Sequence, residues 1–360
     1  MPTLFDPIQL GAIQAPNRIL MAPLTRGRST RDHVPTPLMG EYYAQRAGAG
    51  LILSEATGIS RQGLGWAYAP GLWTEAQVAG WKPVVAAVHK AGGRIFAQLW
   101  HMGRIVHPSF LGGAAPVSAS ATTAPGEART YDGKAPYAEA RPLVLDEIPG
   151  VIEDYRKAAR NALTAGFDGV QLHAANGYLI DQFLRDGTNQ RTDKYGGSVE
   201  NRVRFLTEVT EAVVGVWGPE RVGVRLSPNA AFNDMRDSDP RATFGAAVKA
   251  LDRFNLGYIH VTRAGPGDEV AGGPIDADFF RPLFKNTIIS AAGYDKAQAE
   301  AALRSGNADM IAFASLFISN PDLPARFKAN APLQEGDRST FYGGDAKGYT
   351  DYPSLEAAMA

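Results

Sequence analysis

The run Gln171–Leu184, QLHAANGYLIDQFL, changes character a few residues in. With the two residues before it, its opening (Gly169–Ala175, GVQLHAA) reads as a short buried strand. It then sets His173, Asn176 and Tyr178 within six residues, three hydrogen-bonding side chains where a parallel strand leaves its sheet. Polar groups gathered at such an exit belong to the mouth of an α/β barrel or to the crevice of an open α/β sheet. The rest of the chain decides between them.

Seven further runs rich in Val, Ile and Leu flank this one. They are Arg18–Leu24, Gly50–Thr57, Arg94–Trp100, Arg221–Pro228, Tyr258–Ala264, Thr287–Gly293 and Met310–Leu316. Most are nearly continuous apolar stretches, as parallel strands covered on both faces require. Helical patterns separate them. Thr74–Ala91 carries a stripe of Val78, Trp81, Val84, Val85 and Val88, and Ile148–Ala165, Val199–Val216, Thr243–Asn255, Asp295–Ser305 and Pro321–Lys328 read similarly. Gly166, Gly218, Gly257 and Gly306 follow helical stretches, where left-handed C-caps are expected. Strand then helix, eight times, predicts a closed (β/α)8 TIM barrel spanning residues 1–360 as a single domain. The open doubly wound sheet needs a glycine fingerprint after its first strand, and MAPLTRGRS is not one. Pro2–Asn17, with QLGAIQAPN reading as a hairpin, is expected to cap the bottom of the barrel. His101–Glu147, after the third strand, is rich in Pro, Gly, Ala and Ser and is expected to be an extended loop on the top face.

Composition narrows the function. A net charge of -1 gives no field to draw the chain to nucleic acid or an anionic membrane. With no cysteine, disulfides, thiolate zinc sites, cysteine-bound iron–sulfur clusters and cysteine nucleophiles are excluded. MPTLFDPIQLG lacks a basic n-region and a long apolar h-region, and no apolar run is long enough to span a bilayer, so a cytoplasmic location is expected.

Barrel enzymes place their sites at the C-terminal ends of the strands. Those ends supply Pro23 and Thr25, Ala56 and Thr57, Gln98 and His101, then His173, Asn176 and Tyr178, then Arg225 and Gly293. Taken singly, each has a plainer reading: Arg225 as half of a buried ion pair with Glu55, Gln98 as a partner of loop backbone, Thr25 as a helix cap. Together they form a ring of donors and acceptors suited to a flat polar heterocycle.

The segment HAANGYLIDQFLRDGTNQRTDKYGGSVENRVRF closely resembles the Old Yellow Enzyme family of flavin-dependent ene-reductases, the N-ethylmaleimide-reductase-like members included. MAPLTR, AQLWHMGR, VRLSP, FISNPDL and FYGGDAKGYTDYPSL fit the same family in the same order, over essentially the whole chain. The resemblance implies an FMN-binding barrel that reduces activated alkenes with NADPH or NADH. It implies that Thr25 bonds the flavin C4 carbonyl, that Pro23 and Ala56 line the isoalloxazine edge, and that Gln98 pairs with the pyrimidine ring. Arg225 would stand beside N1 and the C2 carbonyl, where negative charge builds on reduction. His173 and Asn176 would hold the carbonyl oxygen of the substrate, and Tyr178 would protonate the α-carbon after hydride reaches the β-carbon. Trp66, Tyr68, Trp100 and Tyr342 resemble the aromatic lining of the substrate mouth. No metal and no obligatory protein partner are implied; the substrates are small activated alkenes.

The chain also departs from the family. Where many relatives read AFGR on the eighth strand, it reads AFAS, with Ala314 and Ser315. The missing arginine is a ligand of the FMN phosphate, which leaves backbone N–H groups near Gly293 and Ser315, or another cation such as Lys296, to hold it. Barrel dehydrogenases of the trimethylamine or dienoyl-CoA type need a cysteine-bound cluster that this chain lacks. A flavin-binding or redox-sensing protein without catalysis is the remaining alternative.

Overall fold

The computed structural model describes residues 1–265, 270 and 272–356. Eight parallel strands close into a barrel. In chain order they are β1 (Ile19–Met21), β2 (Leu51–Gly58), β3 (Ile95–Trp100), β4 (Gly169–His173), β5 (Val222–Leu226), β6 (Tyr258–Thr262), β7 (Thr287–Ala291) and β8 (Met310–Phe313). β8 pairs with β1 through Ile311 and Ile19, which seals the cylinder and removes free sheet edges. β2 bulges between Leu53 and Ala56, and this shift brings Ala56 level with Gln98 on β3.

The lower barrel is filled by Leu20, Leu51, Leu53, Phe96, Tyr258, Ile289 and Met310. Phe96 and Tyr258 have ring centroids 6.1 Å apart. A Cβ on Gly169 would lie 2.4 Å from the Phe96 ring and one on Gly223 2.1 Å from Tyr258, so both strands need glycine there to admit the rings. The expected hairpin forms from Ile8–Leu10 and Ile13–Ala15. It places Leu10, Ile13 and Ala15 in this same core, and Ala12 N donates to Glu220 O just below β5. It therefore caps the bottom, as expected.

The helical stripes lie against the outside of the strands. Glu75–Lys90 buries Val78, Trp81, Val84, Val85 and Val88, and its N-terminus is closed by a capping box of Thr74 and Gln77. Complete burial contributes about 1.5–3 kcal/mol for a valine-sized or larger apolar side chain. A helix also follows β1, at Pro37–Ala44, and a short one follows β6, at Ala277–Phe280. Gly166 and Gly306 are left-handed caps, with φ of 93° and 75°. Gly218 has φ 72° but ψ 153°, which is not the left-handed helical cap. Gly257 is a correction: Asn255 takes the positive φ, at 56°, and Gly257 is required for another reason. A Cβ there would sit 2.6 Å from Glu220 O.

Two additions shape the top face. The loop after β3 contains the short helical turns Gly103–Ile105 and Pro108–Leu111 and a hairpin of Glu127–Thr130 with Gly133–Pro136. The second addition is the segment from Thr340 to Tyr349. Arg26 Nε donates to Phe341 O and its Nη2 to Gly348 O, both at 2.8 Å, while Arg28 Nη2 donates to Thr340 O at 2.9 Å. The Tyr349 ring stacks on Tyr42 at 4.0 Å. Among the described residues, no helix is long and apolar enough to cross a membrane.

Candidate active site

The turn that leaves β4 is locked from below. Asn176 has φ 58°, a conformation that Asn tolerates better than most residues. Its backbone N donates to Ser227 Oγ at 2.7 Å and its carbonyl accepts from Asn233 Nδ2 at 2.8 Å. Gly177 follows with φ 77°, and a Cβ there would lie 2.8 Å from Met235 Cγ. Gly177 N donates to Asp181 Oδ2, and Asp181 pairs with Arg185 at 2.9 Å with both side chains buried. Gln182 Nε2 donates to the carbonyls of Gly177 and Met102, while its Oε1 accepts from Arg104 N and Ser118 Oγ. The motif after Tyr178 is thus the scaffold of the turn.

That scaffold gathers three rings. The Tyr178 ring stands edge-on to Trp100 at 5.0 Å and to His173 at 4.9 Å, and Trp100 lies 6.4 Å from His173. Register fixes the layer: His173 pairs with Arg225, and Arg225 with His260. Two positions before His173 on β4, Gln171 pairs across to Gln98 on β3. Gln98 Nε2 donates to Gln171 Oε1 at 2.8 Å, and Gln171 Nε2 reaches Tyr258 Oη and His260 Nδ1, each at 3.2 Å. Arg225 has no carboxylate partner among the described residues. The Glu55 carboxylate instead accepts from the backbone of Arg26 and Gly27, at 3.1 and 3.0 Å. The ion-pair reading of Arg225 fails for that reason.

Trp100 Nε1, His173 Nδ1, Arg225 Nε, His260 Nε2 and Thr262 Oγ1 are buried without a hydrogen-bond partner. Orphaned polar atoms cost free energy, and so many around one mouth form a socket whose chemistry suits a polar ligand. Burial holds the His173 imidazole well below its ordinary range, with Arg225 adding to the effect, so it is neutral at pH 7. Burial lowers the Arg225 guanidinium only to about 10, and it stays a cation. Burial pushes the Tyr178 phenol upward, so it keeps its proton.

The remaining sequence-predicted residues surround this centre. Pro23 and Thr25 are half-buried just past β1, and Ala56 is buried on β2 beside Trp100 and Tyr178. Trp66 and Tyr342 meet at 5.6 Å, and the Arg129 guanidinium of the hairpin lies 4.9 Å over Tyr342. Tyr68 packs edge-on to Tyr131 at 5.1 Å, beside this pair rather than within it. Gly293 has φ 64° just past β7, and Ser315 opens a five-residue helix, Ser315–Ser319, just past β8. Gln171, His260 and Thr262 were missed in the sequence. Each sits inside a run that reads as a buried strand, and the available signal was a polar side chain at an inward position.

Residues 3–334 match the family model described as the NADH:flavin oxidoreductase / NADH oxidase family. The chain belongs to that family. An old yellow enzyme homologue from Zymomonas mobilis is 55% identical, with a TM-score of 0.95, covering 98% of this chain and 100% of that one. Morphinone reductase in complex with tetrahydroNAD is 49% identical, with a TM-score of 0.94, covering 100% of this chain and 99% of that one. A putative 12-oxophytodienoate reductase 3 of Oryza sativa subsp. japonica is 46% identical over 98% of this chain and 93% of its own length. The protein is an Old Yellow Enzyme-type flavin oxidoreductase, with FMN as cofactor and a nicotinamide as hydride donor. The orphaned donors and acceptors fit the polar edge of an isoalloxazine. Just past the eighth strand, the exposed Ser315 carries no charge.

Proposed function

We propose that the whole chain is one FMN-binding unit that reduces the alkene of α,β-unsaturated carbonyl or nitro compounds. The observation that carries this reading is the meeting of His173, Tyr178 and Trp100 above a ring of unpartnered polar atoms that includes Arg225 Nε. The chemistry that FMN supplies when bound is transfer of a hydride from a nicotinamide, through N5, to the β-carbon of the alkene.

The residues of the chain do the rest. Gln98 and Arg225, with Pro23, Thr25 and Ala56 at the rim, hold the isoalloxazine. Gln98 is fixed through Gln171, and the half-buried Arg225 provides a cation beside the flavin seat, where it favours the negative charge that builds on reduction. His173 and Asn176 donate to the substrate oxygen. A neutral imidazole can give one N–H to that oxygen, and donors aimed there stabilise the enolate charge that follows hydride addition. Tyr178 then gives its phenolic proton to the α-carbon, completing the balance of one hydride and one proton. Trp66, Tyr68, Trp100 and Tyr342 exclude water and orient the substrate. Small activated alkenes need no protein partner.

The test is an anaerobic assay of nicotinamide oxidation by an enone, followed by identification of the saturated product. Stoichiometric conversion is expected. A protein that binds FMN yet leaves the enone untouched would be the non-catalytic flavin binder.

A further inference from the structure

Arg263 lies just past β6 and reaches across the end of β7. Its Nε donates to Ala292 O and its Nη2 to Gly293 O, both at 2.7 Å, and Nη2 also reaches Gln298 Oε1 at 2.9 Å. Its guanidinium carbon lies 3.8 Å over the Tyr294 ring. Ala292 and Gly293 both have positive φ, 84° and 64°, so the side chain braces a turn that an alanine would not adopt unaided. Among the described residues no carboxylate forms an ion pair with Arg263. Asp276 accepts from Ala264 N and Asn229, and Asp295 caps the next helix through Gln298 N. The Nη1 edge takes part in none of these bonds.

This turn adjoins the place where the charge has been lost. β7 pairs with β8 through Ala291 and Ala312, and Ala314 and Ser315 come just past the end of β8, both exposed. The helix that opens at Ser315 has five residues, too few for a strong dipole. Lys296, the substitute cation suggested by the sequence, is committed elsewhere: its Nζ donates to Phe327 O and Asn330 Oδ1 and lies over the Phe5 ring.

We propose that Arg263 supplies the charge that anchors the FMN phosphate in this chain, replacing the arginine that relatives carry at the position of Ser315; this rests on the flavin seat proposed above. Nε and Nη2 keep the turn in place while Nη1 remains for a phosphate oxygen, so binding need not break the existing bonds. Hydrogen bonds to charged groups of this kind change affinity by about 10- to 150-fold.

Apoprotein titrated with FMN and with riboflavin, which lacks the phosphate, tests the assignment. Arg263→Gln should weaken FMN by about 10- to 150-fold and leave riboflavin unchanged. Ser315→Arg in the otherwise native chain should leave FMN affinity unchanged, and in the Arg263→Gln background should restore it. An equal fall for FMN and riboflavin in Arg263→Gln would reduce Arg263 to a brace of the turn. Tighter FMN binding by Ser315→Arg alone, by about tenfold or more, would show that no cation had been in place and would overturn the proposal even if Arg263→Gln does not fold. Failure of the native chain to bind riboflavin would instead reject the flavin seat itself.

Discussion

His173 and Tyr178 sit within one cluster but are assigned different halves of one reaction, and that division can be measured. Tyr178→Phe removes only the proton donor. Hydride transfer from the nicotinamide to FMN should be unchanged, while reoxidation by an enone slows about 10²–10⁴-fold. Stopped-flow traces with both halves slowed alike would place Tyr178 outside the proton path. His173→Ala removes one donor to the substrate oxygen. Phenols should bind as phenolates at the same point, and their long-wavelength charge-transfer band makes a titration possible. The variant should lose about 2.7–4 kcal/mol of that binding, the scale of one oxyanion donor. An unchanged titration would mean that the imidazole points elsewhere. At this scale the sequence was informative wherever a side chain stands past a strand end. Gln171 and His260 escaped because an inward polar residue within a strand looks like part of the apolar run around it.

The turn between β4 and its helix is a unit in its own right. Asp181 is fully buried and holds both Gly177 N and Arg185. Asp181→Ala leaves the Arg185 cation buried without its partner, and the cost should be about 3–5 kcal/mol in urea unfolding. A loss below about 1 kcal/mol would mean that Gln182, Ser227 and Asn233 hold the turn without it. Strands and long helices were legible because continuous apolar runs and 3.6-residue stripes are imposed by burial on two faces or one. The hairpin of Glu127–Thr130 and Gly133–Pro136 was not, since most of its side chains are exposed and leave no alternating pattern. Gly257 shows the same limit from the other side. A glycine after a helix looks the same whether a positive φ or a close backbone approach requires it.

Across the molecule, acid should unfold this protein through its interior. Burial holds His101 down to about 3 and His173 and His260 well below 6.5, the ordinary value to which an unfolded chain returns them. Below 6.5 the unfolded chain therefore binds protons that the native one does not, so stability is full above that pH and falls as pH drops. Each such histidine contributes a slope of about 1.4 kcal/mol per pH unit. Glu55 acts in the opposite sense: burial raises it from 4.5 to about 7, and its contribution is present at low pH and lost as pH rises through 7. The three histidines, with His33 lowered by burial in the same sense, outweigh Glu55, so stability falls as pH drops below 6.5. Urea midpoints that do not move between pH 7.5 and 5.5 would contradict it. The clamp on the segment from Thr340 to Tyr349 was invisible in the sequence, because Arg26 and Arg28 hold it through main-chain carbonyls, which any residue provides. Its consequence lies in time. Tyr342 is delivered to the mouth by residues synthesised after all eight barrel strands, and the arginines that receive them are synthesised long before. A nascent chain carries a finished barrel wall before it carries a finished mouth, and stalled chains ending before and after residue 349 should differ in how firmly they retain a yellow cofactor.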